Sequence, residues 1–195
     1  MYVLFFKPLF DFTFSILLFP FFLLATIFSA PLIYLEDKGS VFYVSKRLGK
    51  DGKIFNMLKF RSMGVNAPDI RLKDGSAFNS DNDVRVTKIG KFLRKTSLDE
   101  IPQIINVLKG EMSFIGPRPN LPSNENKYSL MEKDRVKIRP GITGLSQCYY
   151  RNAASPIEKY QKDMEYIKNA SFLLDLKIIA KTIHVVINQK NINKK

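Results

Sequence analysis

Thr96-Ser-Leu-Asp-Glu-Ile-Pro-Gln-Ile-Ile-Asn-Val-Leu-Lys-Gly-Glu111 is the most informative stretch of this chain. It places two adjacent carboxylates, Asp99 and Glu100, where a helix is predicted to begin, and the glycine near its end predicts where that helix stops. Two basic loops that contain proline and glycine follow it: Gly116-Pro-Arg-Pro119 and Arg139-Pro-Gly-Ile-Thr-Gly144. The stretch therefore predicts a short helix whose first turn carries paired negative charges in basic surroundings.

The composition limits the classes of protein to consider. The 195 residues, 45% hydrophobic and 25% charged, suit one globular domain and exclude wholesale disorder. The net charge of +13 favours anionic partners, which are nucleic acid, phosphorylated metabolites or an acidic membrane face. The single cysteine, Cys148, allows no internal disulfide and fits a reducing compartment. The single histidine, His184, argues against a histidine triad or a histidine-based zinc site.

A membrane segment lies near the N-terminus, because Phe12 to Leu35 contains no charged residue. As a helix it would be roughly 36 Å long, enough for a hydrocarbon core of about 30 Å. Pro20 and Pro31 interrupt it, and the basic region that follows is predicted to be cytosolic. A spanning helix would then leave Met1 outside, whereas a kinked hairpin would return both ends to the cytosolic side. Both arrangements are open.

A β-hairpin is predicted directly after this segment. Val41-Phe-Tyr-Val44 and Ile54-Phe-Asn-Met57 flank Gly49-Lys-Asp-Gly52, whose residues tolerate positive φ. If the second strand continues, Lys59 and Arg61 share one side of it. They form either a phosphate-binding pair or a solvated strand face.

The remaining chain reads as one loop and several helices. Asn66 to Asp83 is rich in turn residues and is predicted to be a mobile loop. Helices are predicted at Ile89–Arg94, Ser129–Lys137, Ser155–Asn169 and Ser171–Ile187. Four polar residues interrupt the last of these, which suits either an interfacial helix or a C-terminal core helix. Lys7 and Asp11, four residues apart, are expected to pair at the membrane interface.

Two interpretations of Asp99 and Glu100 are open. Ser97-Leu-Asp-Glu100 matches a capping box, in which Glu100 reaches back to the Ser97 amide. Alternatively, a helix start favours anions, and successive helical residues diverge by about 100°. The two carboxylates then suit divided roles, one as a nucleophile and one as a ligand for Mg²⁺. Pro102 disturbs the first turn and weakens the capping interpretation.

The two basic loops add the groups that a phosphate ligand requires. Arg118 stands between two prolines, which reduces the entropy lost when its guanidinium binds a ligand. The glycines after Arg139 are expected to let the backbone approach a bound group closely. Carboxylates that face such cations suit metal-assisted attack on a phosphorus centre.

These motifs and their order carry a resemblance to a known family. The segments are Lys59-Phe-Arg-Ser-Met63, Thr96-Ser-Leu-Asp-Glu100, Ile105-Asn-Val-Leu-Lys-Gly110, Met112-Ser-Phe-Ile-Gly-Pro-Arg-Pro119, Lys137-Ile-Arg-Pro-Gly-Ile-Thr-Gly144 and Ser171-Phe-Leu-Leu-Asp-Leu-Lys177. The chain resembles the bacterial sugar transferases over nearly its full length, as a small monotopic phosphoglycosyl transferase. The resemblance implies a mainly helical α+β fold with a re-entrant membrane helix at residues 1–35. A small β-hairpin and interfacial amphipathic helices would surround the active site in a catalytic domain at residues 36–195.

The resemblance also implies an activity at the cytosolic face of the bacterial inner membrane. A UDP-sugar would donate sugar-1-phosphate to undecaprenyl or another polyprenyl phosphate and release UMP. This would be the first membrane step in making a surface glycan or glycoprotein oligosaccharide. By resemblance Asp99 is the nucleophile, and Glu100 and Asp99 hold Mg²⁺. The candidate substrate contacts are Lys59, Arg61, Arg85, Arg118, Arg139, Gln147, Arg151 and Asn152. Membrane lipids are further expected partners, and no particular sugar or oligomeric state is predicted.

Two departures from the family pattern stand out. The family breaks its re-entrant helix at a Ser-Pro pair, whereas here Phe19 precedes Pro20 and Ala30 precedes Pro31. Relatives often carry Gln-Val-Asn-Gly-Arg-Asn where this chain has Gln147-Cys-Tyr-Tyr-Arg-Asn152. The two tyrosines either alter donor choice or only pack.

Two other classes of function compete with the transferase. A non-catalytic, membrane-anchored basic module that binds anionic lipids would use the positive charge, but it gives no role to Asp99 and Glu100. Nucleic-acid binding is not predicted, because no recognised motif is present and the aromatic residues cluster in the apolar N-terminus. Exchanging Asp99 for Asn would stop a transferase and leave either kind of binding intact.

Overall fold

The computed structural model describes residues 1–70, 78, 80, 83–122, 130–150 and 155–188, and its fold is mainly helical. A π-helical turn, Tyr2–Phe6, leads into α1 (Lys7–Asp37), which is followed by β1 (Phe42–Leu48), β2 (Ile54–Phe60), α2 (Lys88–Thr96) and α3 (Gln103–Leu108). Then come β3 (Ser113–Ile115), α4 (Leu130–Arg135), β4 (Gly141–Thr143), α5 (Leu145–Tyr150), α6 (Pro156–Asn169) and α7 (Phe172–Ile187). The predicted α+β class is confirmed.

The first helix is long and apolar enough to cross a membrane by length and composition. It stays helical from Lys7 to Asp37, so Pro20 and Pro31 each remove a hydrogen bond without ending it. Most of its Phe, Leu and Ile side chains are exposed. The side chains that turn inward are Lys7, Asp11, Ser15, Phe22, Ser29 and Ile33. The helix thus places a mostly polar stripe against the rest of the protein and leaves its apolar faces outside.

The N-terminal end of α1 is held by buried polar contacts. Lys7 Nζ lies 2.7 Å from Asp175 Oδ2 on α7, and the Tyr2 hydroxyl donates to the same oxygen at 2.7 Å. The Asp11 carboxylate accepts from the Phe114 amide at 3.2 Å. Lys7 and Asp11 were predicted to pair at the membrane interface. Both are instead buried, and each makes its direct contact with a separate group of the downstream domain, although the Lys7 charge still acts on Asp11.

The C-terminal end of α1 contacts the same domain. The Arg61 guanidinium binds the Asp37 carboxylate, with Nη2 2.6 Å from Oδ1. Glu36 accepts from the Lys88 amide at 2.6 Å and so satisfies a free donor at the start of α2. Both ends of α1 are therefore attached to residues of one domain.

The predicted hairpin is confirmed and is longer than expected. β1 and β2 pair antiparallel from Phe42 opposite Phe60 to Leu48 opposite Ile54. Asp51 and Gly52 take positive φ (57° and 74°) in the turn, which these residue types tolerate.

Asn106 attaches α3 to the hairpin. Its fully buried amide accepts from the Leu58 nitrogen at 3.0 Å and donates to the Asn56 carbonyl at 2.8 Å. These two bonds to the backbone of β2 fix where α3 lies, and with it the carboxylates that precede it.

A second, parallel sheet brings the two Pro/Gly loops together. Ser113 pairs with Gly141 and Ile115 with Thr143. The Gly116 amide donates to the Thr143 carbonyl at 2.9 Å. A β-carbon on Gly141 would lie 2.1 Å from the Gly116 nitrogen. The glycines thus allow the two loops to approach each other, whereas the sequence interpretation had them approach a ligand.

The C-terminal helices pack around Tyr166, Ile178, Cys148 and Ile115, all almost fully buried. α6 begins with a capping box between Ser155 and Glu158, close to the predicted start. On α7 the exposed large apolar side chains are Phe172, Leu173, Leu176, Ile183 and Ile187. This exposed apolar face favours the interfacial interpretation of α7 over a core helix.

Most of the predicted mobile loop (71–77, 79, 81 and 82) lies outside the described residues.

Candidate active site

The two carboxylates lie in a tight turn between α2 and α3. α2 ends at Thr96, Ser97 caps it in a left-handed conformation (φ 60°), and Leu98–Glu100 form one 3₁₀ turn. The helix predicted from Asp99 begins instead at Gln103, after Pro102, which has no amide hydrogen to extend it. Ser97 makes no side-chain capping bond to the turn. The capping-box interpretation is therefore wrong.

Glu100 is paired with two cations from separate elements. Its Oε1 atom lies 2.5 Å from Lys59 Nζ at the end of β2 and 3.1 Å from Arg118 Nη2 in the loop after β3. Burial opposes ionisation of this carboxyl group, but Lys59 and Arg118 outweigh it and hold the pKa of Glu100 below its ordinary value. Glu100 is therefore a fixed anion, while the Arg118 side chain remains 51% exposed.

Asp99 has a different environment from its neighbour. Within the described part of the chain its carboxylate has no hydrogen-bond or ion-pair partner. Burial raises the pKa of Asp99 most, and the Glu100 charge adds to this, while Lys59, Arg94 and Arg118 act against both. The net effect is a pKa of Asp99 above its ordinary value. The Asp99 carboxylate thus has no direct partner among the described residues, while the charges of Lys59, Arg94 and Arg118 act on it.

Arg94 is the residue near the site that sequence reasoning missed. Its Nε donates to the Ser62 hydroxyl at 2.8 Å, and burial lowers the pKa of this guanidinium while the Asp99 charge opposes the shift. The left-handed turn at Ser97 brings the end of α2 back towards Asp99. The spacing held one signal, because Arg94 comes four residues after Gly90 and so lies on the same side of α2, the side that is buried against Ser62.

The structure separates the predicted phosphate contacts into groups. Lys59 and Arg118 lie at the carboxylates. Arg61 binds Asp37 instead, and so attaches α1 to the hairpin. The partners of Arg85 are Asp83 and the carbonyl groups of Pro68 and Phe78.

The remaining predicted contacts lie elsewhere. The Arg139 guanidinium lies beside Gly110, past the end of α3. Gln147 packs against Gly144, accepts from the Ser146 hydroxyl at 3.0 Å, and has a buried Nε2 without a partner among the described residues. An orphaned buried donor of this kind suits a polar ligand. Arg151 and Asn152 lie outside the described residues.

The two carboxylates supply too few ligands to hold a magnesium ion unless substrate phosphate oxygens complete its coordination. The described residues contain no cluster of three or more His, Cys, Asp or Glu side chains. Both cation contacts of Glu100 within that part of the chain fall on Oε1, so Oε2 and the Asp99 oxygens are available. Mg²⁺ is typically held by one or two carboxylates together with substrate phosphates and water, which matches this donor set.

Comparison with known proteins identifies the family of this chain. A family model described as bacterial sugar transferase matches residues 2–189. The chain belongs to this family. Among similar family members is the uncharacterized sugar transferase EpsL of Bacillus subtilis, 39% identical over 95% of this chain and 89% of that protein.

Two further family members have more specific names. The UDP-glucose:undecaprenyl-phosphate glucose-1-phosphate transferase of Klebsiella pneumoniae is 43% identical over 79% of this chain. The UDP-N-acetylgalactosamine-undecaprenyl-phosphate N-acetylgalactosaminephosphotransferase of Aeromonas hydrophila is 40% identical over 82% of it. The chain spans only 34% and 38% of the length of these two proteins.

Proposed function

We propose that this protein transfers sugar-1-phosphate from a UDP-sugar to a polyprenyl phosphate at the cytosolic face of the bacterial inner membrane. The observation that carries the proposal is the unequal environment of Asp99 and Glu100. One carboxylate is neutralised by Lys59 and Arg118, while its neighbour has no hydrogen-bond or ion-pair partner among the described residues. The names of the two specific relatives support this class of donor and acceptor.

The proposed reaction has two displacements at one phosphorus atom. An Asp99 oxygen attacks the sugar-bearing phosphorus of the UDP-sugar, the bond to the bridging oxygen breaks, and UMP leaves with that oxygen and its electron pair. An oxygen of the lipid phosphate then attacks the same phosphorus, and the Asp99 carboxylate leaves. The product is a polyprenyl diphosphate sugar, and the enzyme is regenerated.

The surrounding residues have separate parts in this scheme. Arg118, half-exposed beside the carboxylates, binds phosphate oxygens, and Lys59 keeps Glu100 ionised and oriented. Arg94 offsets charge around Asp99. Glu100 Oε2 and Asp99 would hold Mg²⁺, which neutralises diphosphate charge when bound.

The direct test is UMP release from a panel of UDP-sugars by the purified protein with Mg²⁺ and undecaprenyl phosphate. We expect release that requires the lipid, stops when EDTA removes the metal, and returns with added Mg²⁺. Asp99→Asn should abolish it, whereas Asp51→Asn, in the exposed turn of the hairpin, should not. A folded wild-type protein that releases no UMP from any donor would overturn the proposal and favour an anionic-lipid-binding module.

We also propose that α1 is re-entrant. Its two ends contact the same domain through Lys7–Asp175 and Asp37–Arg61, and a helix that crossed the bilayer would place these ends on opposite sides. A cysteine placed at Met1 should therefore resist membrane-impermeant thiol reagents in intact cells and react after lysis. Labelling from outside the cell would show that α1 spans the membrane.

A further inference from the structure

A cavity of about 190 Å³ lies between the start of α1, α7 and the β3–β4 sheet. The sheet contributes Phe114, Ile115 and Ile142 to its lining, and α7 contributes Leu176 and Ile183. A cavity of roughly 150 Å³ holds a molecule the size of benzene. This one therefore has room for a hydrocarbon segment of roughly six to ten carbon atoms.

The polar groups that line this cavity are paired with other protein groups. Lys7 and Tyr2 both contact Asp175, and the Thr143 and Thr182 hydroxyl groups lie 2.9 Å apart. The Asp11 carboxylate accepts from the Phe114 amide. A polar ligand would have to replace these bonds, and an apolar ligand leaves them intact. The cavity therefore suits a hydrocarbon.

The mouth of the cavity opens on the faces that the proposed function places in lipid. Leu176 and Ile183 are 44% and 54% exposed, and Phe10 and Phe14 on α1 are also exposed. A chain that enters between α1 and α7 would come from the bilayer without crossing water.

The cavity is also close to the phosphate-binding side of the site. Ile115 ends β3 in the cavity lining, and Arg118 follows it by three residues and contacts Glu100. Three extended residues span at most about 10 Å. A lipid whose first carbons occupy the cavity can thus present its phosphate to Arg118.

We propose that the cavity holds the isoprene units next to the phosphate of the polyprenyl acceptor. This inference rests on the proposed function and adds to it the place where the lipid chain binds. The cavity is then a chain-binding subsite whose position aligns the acceptor phosphate with Asp99.

Leu176→Trp tests the inference, with Leu173→Trp as the matched control. Both residues are exposed on the apolar face of α7, but only Leu176 lines the cavity. The indole of Leu176→Trp would obstruct the mouth and displace at least two carbons of the chain. We expect the KM for undecaprenyl phosphate to rise roughly tenfold, since the loss of two buried methylene contacts suffices for that factor. The KM for the UDP-sugar should not change, and Leu173→Trp should stay close to the wild type.

The outcomes separate the two proposals. Equal acceptor KM values in Leu176→Trp and Leu173→Trp would overturn the cavity proposal and leave the transferase intact, whereas absence of turnover in the wild type would overturn both. Ile183→Trp, at a second exposed lining position, repeats the test should Leu176→Trp fold poorly. Photoreactive isoprenyl phosphate should label α7, and excess undecaprenyl phosphate should block this. Labelling of the cavity by a photoreactive phospholipid alone would assign it to a bulk acyl chain and contradict the inference.

Discussion

The buried ion pair between Lys7 and Asp175 makes a quantitative prediction about how α1 is held. The two side chains are each 8% exposed and their charged atoms lie 2.7 Å apart. Lys7→Met would leave the Asp175 carboxylate buried with only tyrosine hydroxyl donors, from Tyr2 and Tyr166. It would also leave the buried Asp11 carboxylate nearby without its closest cation. Breaking such a pair by removing one partner costs about 3–5 kcal/mol.

This cost translates into a measurable shift in thermal unfolding. For a chain of this size each kcal/mol lowers the Tm by roughly 2–4 °C, so Lys7→Met should lower it by roughly 6–20 °C. The assay is thermal unfolding of the detergent-solubilised protein, followed by circular dichroism. Lys137→Met is the control, because Lys137 pairs with Asp134 at a similar distance (2.6 Å) but its side chain is 65% exposed. We expect no resolvable shift there.

A double variant tests the cause of the effect. Lys7→Met combined with Asp175→Asn removes both charges. Tyr2 and Tyr166 donate to different oxygens of Asp175, so the asparagine oxygen accepts from one of them and its amide group can donate to the hydroxyl of the other. The double variant should recover part of the lost stability, since replacing a whole buried pair costs far less than breaking it. Equal shifts in Lys7→Met and Lys137→Met, or a double variant less stable than Lys7→Met, would refute the assignment of this pair as the attachment of α1.

Three further predictions concern the loops and the site. Gly141→Ala should destabilise the protein by about 1–3 kcal/mol in denaturant unfolding, because its β-carbon would meet the Gly116 backbone, whereas Gly64→Ala, with 3.9 Å to its nearest neighbour, should not. The pKa of Glu100 is lowered in the folded state, so its stabilising effect is fully present above its ordinary pKa of 4.5 and is lost as the pH falls below that value. The Tm difference between wild type and Glu100→Gln should therefore shrink with acidification below pH 4.5, and a constant difference would contradict the ion-pair argument. Cys148 is buried and its thiol pKa is raised to about 11, so maleimide should modify it only after unfolding, as measured by intact mass.

Local signals in the sequence predicted most of the fold. The hairpin, α2, α6 and α7 all lie where periodicity, turn residues and capping residues placed them, within a few residues. The start of α3 was mispredicted because the capping-box pattern at Ser97 outweighed the weaker sign at Pro102. The pairing of β3 with β4 is three residues long and joins distant segments, so no local pattern could reveal it.

The partners of the basic residues were the part that sequence could not supply. Lys59 and Arg61 both flank Phe60, yet Lys59 reaches Glu100 and Arg61 reaches Asp37. Residue type and spacing treat them as equivalent phosphate ligands, and only the packing of α1 against the hairpin separates them. Arg94 was missed for the same reason, since Lys91 and Lys95 of the same helix are also basic. Clustered basic residues in the sequence indicate a phosphate-binding site, whereas tertiary contacts decide which of these residues lie at it.

The burial pattern of α1 is the reverse of that of a helix in a water-soluble protein. A helix of a water-soluble protein buries its apolar face and exposes its polar one. α1 does the reverse, since Lys7, Asp11, Ser15 and Ser29 face the domain while nearly all of its phenylalanine and leucine side chains face outward. Lys7 and Asp11 have partners in the domain, whereas Ser15 donates to the Phe12 carbonyl of the helix itself, and the outward apolar face suits lipid. In the proposed function this outward face brings α1 and the domain to the membrane, where the polyprenyl phosphate would meet Asp99.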